Sequence, residues 1–497
     1  MLENNVPIPI KINNLGALKN ADIKLKPLTI FVGENNTGKT YTAYLISFIF
    51  SKYAFNGFMN EYIRGNLQEN FFSIDNVVDQ LFEKGHAKLN FKLFLEKNSK
   101  KYFRLICSEI SPKYFKTFLG SDTLKFDNIG LNLDFKNFKE TQFHNLSQRF
   151  LDDINGDLCK KCSYFDNCQE CEKKPKSESV NCNVNKENLI ITFKKNKTDL
   201  TKDEIKIDVS STIFSMLHKS IFNEVYFLGA ERTGLTLFYY SEQESKKKES
   251  HKTTAEKNSS SSTPAEKSAV KIQVSQPVVE LLTVITKILS KDFVDVRVDK
   301  ANTDEIIKKY QDYADILETE ILKGEIRLSD NENVRRLIFK YSENSNVDLN
   351  MTISSSAVKG LSPLVLFLRY YLDPNELIVL DEPEMNLHPK AQAQLIELIS
   401  MLVNSGINVI ITTHSPYIVD HLINLIKAES SKKSKDKLVD LFYLKKKEAF
   451  ISKEKVSVYL FENGEAHDIL ENEGDINWKT FSKVSEEITD IYFELED

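Results

Sequence analysis

The chain has 497 residues, 41% of them hydrophobic, and a formal net charge of -6, so it is long enough for one large domain with an insertion, or for two domains with well-buried cores. An acidic balance excludes coating of nucleic acid or of an anionic membrane through overall charge, and leaves only a local basic groove for such contacts. Met1 to Ile12 carries no basic stretch followed by an apolar one, and the longest apolar run, Tyr41 to Phe55, is interrupted by Ser47, Ser51 and Lys52. It is too short to span a bilayer, and the reading is a soluble cytoplasmic protein with no membrane partner.

The predicted elements begin with two short strands, Ile8 to Ile12 and Ile23 to Leu25, followed by a buried strand, Leu28 to Val32. A glycine-containing turn and a helix from about Gly38 to Phe50 come next. Residues 1–60 thus read as the first half of an α/β domain. Residues 61–222 lose that pattern and read as an insertion, with a return strand in 223–240. Within the insertion, five of the six cysteines lie between Cys159 and Cys182, unlike the spread of a disulfide-stapled secreted chain.

Residues 241–277 lack aromatic residues and are rich in Lys, Glu, Ser and Thr, so they bury too little apolar surface to offset their ordering entropy and predict a disordered loop. Helical spacing returns over Val278 to Leu289 and Asp304 to Leu322, where Ile306, Tyr310, Tyr313, Leu317 and Ile321 recur, which predicts a short helical protrusion over 278–323. From 324 to 497 strands and helices alternate again: strands Glu325 to Leu328, Arg336 to Tyr341, Val347 to Ile353, Leu377 to Leu380 and Asn408 to Thr412, with helices after Ser356 and over Ala391 to Val403. The expected fold is therefore α/β, a mixed sheet with flanking helices assembled from N- and C-terminal segments around a helical, Cys-rich insertion.

Three motifs carry chemistry. Gly33-Glu34-Asn35-Asn36-Thr37-Gly38-Lys39-Thr40 fits the phosphate-loop pattern G-x-x-x-x-G-K-[ST] between a buried strand and an apolar helix. Its backbone N–H groups would surround the phosphates of ATP, Lys39 would reach the β- and γ-phosphates, and Thr40, followed by Tyr41, would ligate Mg2+. Leu377 to Leu380 then delivers Asp381 and Glu382 at a strand end, the first to hold Mg2+ and the second to orient and deprotonate the attacking water. Asn408 to Thr412 runs into Thr413-His414-Ser415-Pro416, which places an imidazole near the γ-phosphate region. The order of the three along the chain is the order one shared site requires.

Taken together, the N-terminal strand pair, GENNTGKT, LIVLDEPEMNLHP and ITTHSP resemble ABC-type ATPases of the SMC/RecF/OLD group. The resemblance implies a P-loop head with Walker A residues Gly33 to Thr40, Walker B Asp381, catalytic Glu382, a D-loop-like Asn386-Leu387-His388-Pro389 and switch His414. It also implies a head-to-head dimer closed by a signature loop, here Ser354 to Lys359, in which Ser355, flanked by Ser356 and Lys359, faces the partner's γ-phosphate. The glycine pair usual in that loop is replaced by Ser356 and Ala357.

Val225 to Gly234, ending in Ala230-Glu231-Arg232-Thr233-Gly234, is similar to a motif of the ATPase subunits of bacterial anti-phage systems of the PARIS, Septu or retron-associated type. There Arg232 would meet phosphate or the facing subunit, or form an ordinary salt bridge with Glu231. Cys159-x2-Cys162-x5-Cys168-x2-Cys171 supplies four thiolates suited to Zn2+ within one subunit, with an iron–sulfur cluster or unligated thiols as alternatives.

These features lead to an expected function: an ATP-hydrolysing subunit of an anti-phage complex, controlling a separately encoded nuclease or toxin by ATP-dependent head dimerisation. The alternatives are a RecF-like repair ATPase that binds DNA, and a slowly hydrolysing scaffold that sequesters a toxin.

Overall fold

A computed structural model describes residues 7–67, 74–121, 130–133, 180–185, 188–193, 201–234, 274–289, 291–329, 336–341, 348–470 and 490–491. Its centre is a nine-stranded mixed sheet built from β1 (Ile8–Leu15), β2 (Leu18–Leu25), β3 (Leu28–Gly33), β5 (Gly130–Leu133), β8 (Val225–Leu228), β12 (Leu377–Asp381), β13 (Asn408–Thr413), β14 (Val456–Glu462) and β15 (Glu465–Asp468). They lie in the order β5-β1-β2-β15-β14-β3-β13-β12-β8. The run β14-β3-β13-β12-β8 is parallel throughout, and β3 and β12 are buried along their whole length. Strands covered on both faces read as continuous apolar runs, as Leu377 to Leu380 does.

Period-two alternation sends side chains to two separate cores. Ile30, Val32, Ile378, Leu380, Val409 and Ile411 enter one, together with the helices Gln276–Ile288, Glu305–Ile316, Ser356–Tyr370, Pro389–Asn404 and Pro416–Ser430. Phe31, Leu377, Val379, Ile410 and Phe227 enter the other, with the helices Lys39–Phe50, Lys52–Ile63, Phe91–Leu105 and Lys202–His218.

The segment expected as an insertion therefore shares its core with the phosphate-loop helix: Phe48 meets Phe115 and Phe118, and Phe58 meets Tyr102 and Phe214. It also supplies β5, which pairs with β1 at the sheet edge, and a small antiparallel sheet of β4 (His86–Asn90), β6 (Val180–Asn185) and β7 (Asn188–Phe193) in the order β4-β7-β6. A second small sheet joins β9 (Gly324–Leu328), β10 (Leu337–Tyr341) and β11 (Asp348–Asn350).

One expectation needs correcting. The stretch read as a helical protrusion is packed into the first core, where Leu281, Ile285, Ile307, Tyr310, Tyr313 and Leu317 are all buried: the helix Gln276–Ile288 lies against β8, and the helix Glu305–Ile316 against the helices Ser356–Tyr370 and Pro389–Asn404. Their 3.6-residue spacing marks a face turned to the protein, and the helix Glu305–Ile316 runs on into a π-helical turn, Leu317–Leu322. Of the loop expected to be disordered, 241–273 lie outside the described residues, while Gln276 and Pro277 already belong to a helix. Cys159, Cys162, Cys168 and Cys171 also lie outside the described residues. Among the described residues no group of three or more His, Cys, Asp or Glu is arranged to hold a metal ion, and no helix is long and apolar enough to cross a membrane.

Candidate functional site

The parallel strands β3, β12, β13 and β8 share a direction, so their C-terminal ends open on one edge of the sheet, the place where open α/β sheets bind ligands. Register makes this concrete: Asp381 lies opposite Thr412, Thr413 opposite Val32, and Leu380 opposite Leu228. The phosphate loop is thereby brought beside two motifs that follow it by more than 300 residues, Thr40 and Asp381 being 341 residues apart in sequence.

The phosphate loop leaves β3 at Gly33, whose φ of 145° is open only to glycine and whose added Cβ would lie 2.3 Å from the Phe461 carbonyl oxygen. Gly38, at φ 100°, starts the helix Lys39–Phe50 in the left-handed region. Glu34, Asn35 and Asn36 form the exposed rim and Tyr41 stands exposed one turn on, whereas Gly38 and Lys39 are buried. The Lys39 ammonium donates to the Gly33 carbonyl at 2.9 Å and to that of Glu34 at 2.5 Å. Burial lowers its pKa to about 8, against the opposing pull of Glu382, Asp381, Glu384 and Glu34.

Thr40 donates its hydroxyl to Asp381 Oδ1 at 3.0 Å, and the Thr412 hydroxyl donates to the same oxygen. Glu382 follows with φ 46°, a conformation rarely adopted by a residue with a side chain. Its N–H donates to the Thr412 carbonyl at 3.0 Å, and its Oε1 lies 3.1 Å from Nε2 of His414. The two side chains expected to handle water and γ-phosphate thus face each other.

Two members of the site were missed in the sequence. Thr412 closes the hydroxyl pair around Asp381. Glu384 accepts from the Thr413 hydroxyl at 2.6 Å and from the His414 N–H at 2.8 Å, tying the turn after β12 to the end of β13. Burial raises its pKa. The readable signal was the third carboxylate of Asp381-Glu382-Pro383-Glu384, whose spacing returns it to the sheet edge.

The remaining candidates fall elsewhere on the fold. Ser355 is exposed and caps the helix Ser356–Tyr370, its Oγ accepting from the Val358 N–H at 3.2 Å. Ser356 is exposed beside it. In the D-loop-like stretch, Leu387 is buried, Asn386 is exposed at φ 65°, and His388 caps the helix Pro389–Asn404. Arg232 is 3% exposed, and its guanidinium donates to the main-chain carbonyls of Gly229, Gly360, Asp381 and Glu382.

The AAA ATPase domain family matches residues 8–419, a span that takes in all three motifs. The chain belongs to the AAA ATPase domain family. Comparison with curated proteins gave no match. Among solved structures, this AAA ATPase-domain protein is similar to the SmcHead bound to the C-winged helix domain of ScpA, with 9% identity over 93% of this chain and 97% of that one and a TM-score of 0.36. It is also similar to the Smc head domain with an extended coiled coil bound to the C-terminal domain of ScpA from Pyrococcus furiosus, with 10% identity, 97% and 99% coverage and a TM-score of 0.34. A third similar structure is the Smc head domain with a coiled coil and joint from Pyrococcus yayanosii, with 11% identity, 97% and 99% coverage and a TM-score of 0.32. The family assignment rests on the match over residues 8–419 alone.

Proposed function

We propose that this protein binds ATP with Mg2+ at the sheet edge and hydrolyses it. The observation that carries the reading is the convergence there of Lys39, Thr40, Asp381, Glu382 and His414, with Thr40 3.0 Å from Asp381 and His414 3.1 Å from Glu382. The Lys39 ammonium, held by the Gly33 and Glu34 carbonyls, exchanges them for phosphate oxygens when ATP enters.

A hydroxyl and a carboxylate in contact are hard oxygen donors of the kind that hold Mg2+ together with phosphates and water. Thr40 and Asp381 would hold the ion, which when bound neutralises charge on the phosphate oxygens. Glu382 accepts a proton from the attacking water as its oxygen bonds to the γ-phosphorus and the bond to the bridging oxygen breaks. His414 donates through Nε2 to the Glu382 carboxylate and orients it beside the γ-phosphate.

The wider reading is a defence subunit that uses ATP-dependent head dimerisation to control a separately encoded nuclease or toxin. What supports dimerisation is the exposure of Tyr41, Ile353, Met385 and Tyr417 beside the phosphate loop, the signature loop, the D-loop-like turn and the switch histidine. In that arrangement Ser355 reaches the partner's nucleotide. The Cys159, Cys162, Cys168 and Cys171 set would bind Zn2+ within one subunit.

Binding of a fluorescent ATP analogue by the wild type and by Lys39→Ala tests the core of this reading. Binding falls by about 100-fold or more in the variant if Lys39 grips the phosphates. Equal affinity in both proteins would refute the site.

A further inference from the structure

The end of β8 lies beside the end of β12, so the turn Gly229 to Arg232 adjoins the residues on which the proposed chemistry depends. Arg232 Nε donates to the Gly360 carbonyl at 2.8 Å. Its NH1 donates to the carbonyls of Gly229 at 3.0 Å and Asp381 at 2.6 Å, and its NH2 to the carbonyl of Glu382 at 2.9 Å. One buried cation thereby joins three separate pieces of main chain: the turn after β8, the Asp381-Glu382 corner, and the helix Ser356–Tyr370 that begins at the signature loop.

The corner is where such support is needed. Glu382 has φ 46°, and a side-chain-bearing residue stays in that region only when its surroundings over-determine it. On its N–H side the Thr412 carbonyl and hydroxyl accept at 3.0 and 3.2 Å. On its carbonyl side the guanidinium supplies a charge-assisted donor, stronger than a neutral one. Gly360 is close-packed against the same turn, since a Cβ there would lie 3.1 Å from Thr233 Oγ1. The helix and the corner therefore cannot shift independently without breaking a hydrogen bond to Arg232.

We propose that Arg232 is a positioning residue, acting through the main chain: it holds the Glu382 corner in its left-handed conformation and transmits the position of the signature helix to the Glu382 carboxylate. The inference rests on the ATPase reading and deepens it. ATP hydrolysis is thereby coupled to where the helix Ser356–Tyr370 sits, with no contact between Arg232 and the nucleotide. A displacement of Glu382 by about 1 Å is enough to slow the chemical step on the order of 100-fold while leaving the phosphate grip intact.

The test uses the full chain and separates binding from turnover. Arg232→Ala lowers kcat on the order of 100-fold with KM for ATP within about threefold, the signature of lost positioning. Guanidinium ion at millimolar concentration restores part of kcat in that variant, whereas equal concentrations of NaCl do not. Gly360→Ala, which keeps Arg232 and favours the helix, lowers kcat severalfold with unchanged KM and undiminished melting temperature, and it decides the question should Arg232→Ala fail to fold.

A rise in KM that accounts for the whole effect of Arg232→Ala would assign Arg232 to the nucleotide and overturn the proposal. Wild-type kcat in Gly360→Ala would overturn the coupling. Absence of ATP turnover in the wild type would instead strike the ATPase reading itself.

Discussion

His218 is buried at the junction between the phosphate-loop helix and the helices that pack on it, and its replacement by Phe makes a quantitative prediction. The Ser51 carbonyl can only accept, so the His218 Nε2 at 2.9 Å carries the proton, and the Tyr102 hydroxyl donates to Nδ1 at 2.9 Å. Ser51 ends the helix Lys39–Phe50 and caps the next one, so the imidazole pins the far end of the phosphate-loop helix.

Burial lowers the His218 pKa to about 4 from 6.5. The unfolded chain takes up a proton below pH 6.5 and the folded protein does so only near pH 4, so stability is lost as pH falls through that window. At about 1.4 kcal/mol per unit, the loss comes to about 3 kcal/mol. His218→Phe leaves the Tyr102 hydroxyl and the Ser51 carbonyl without this partner, which costs about 1–3 kcal/mol at pH 7, but it removes the pH-dependent term. Urea unfolding followed by circular dichroism between pH 4 and 7.5 should give a flatter stability curve for the variant, converging on the wild type toward pH 4. Parallel curves would refute the assignment.

Gly33→Ala places a methyl group 2.3 Å from the Phe461 carbonyl oxygen at φ 145°. It should destabilise the protein by at least about 1–3 kcal/mol, read as a lowered melting temperature together with weaker ATP binding, and an unchanged melting temperature would contradict the geometry. Asp381→Asn removes the charge paired with Thr40. In a magnesium titration of ATP turnover it should raise the concentration needed for half-maximal rate by about tenfold or more, and an unchanged titration would place the ion elsewhere.

Much of the site was legible because its residues obey local rules. The phosphate loop sits between a strand and a helix whose apolar patterns are continuous, and Asp381 and Glu382 end a strand too apolar to be anything but central. What escaped were contacts set by register. Nothing in Asn408 to Thr413 says that Thr412 will lie opposite Asp381, and the third carboxylate of Asp381-Glu382-Pro383-Glu384 does not say that its partners are the Thr413 hydroxyl and the His414 N–H.

The helices over 276–322 were misplaced because helical periodicity shows that a face is buried and not against what. The partners of Glu305–Ile316 are the helices Ser356–Tyr370 and Pro389–Asn404, and the hydroxyls of Tyr310 and Tyr313 meet Ser405 at the end of the latter. Arg232 was legible as a charged residue at a strand end, but besides the nearby Gly229 the carbonyls it serves belong to Gly360, Asp381 and Glu382, more than a hundred residues away in sequence.

In the proposed function one site, assembled at the sheet edge, both holds ATP and cleaves it through Glu382. Glu382→Gln preserves the shape of the side chain and removes its ability to take a proton. Binding of radiolabelled ATP and its single-turnover conversion to ADP, measured on the same preparation of wild type and variant, test the claim directly. The expected result is wild-type affinity with hydrolysis slowed by about 100-fold or more in the variant. Conversion at the wild-type rate would contradict it.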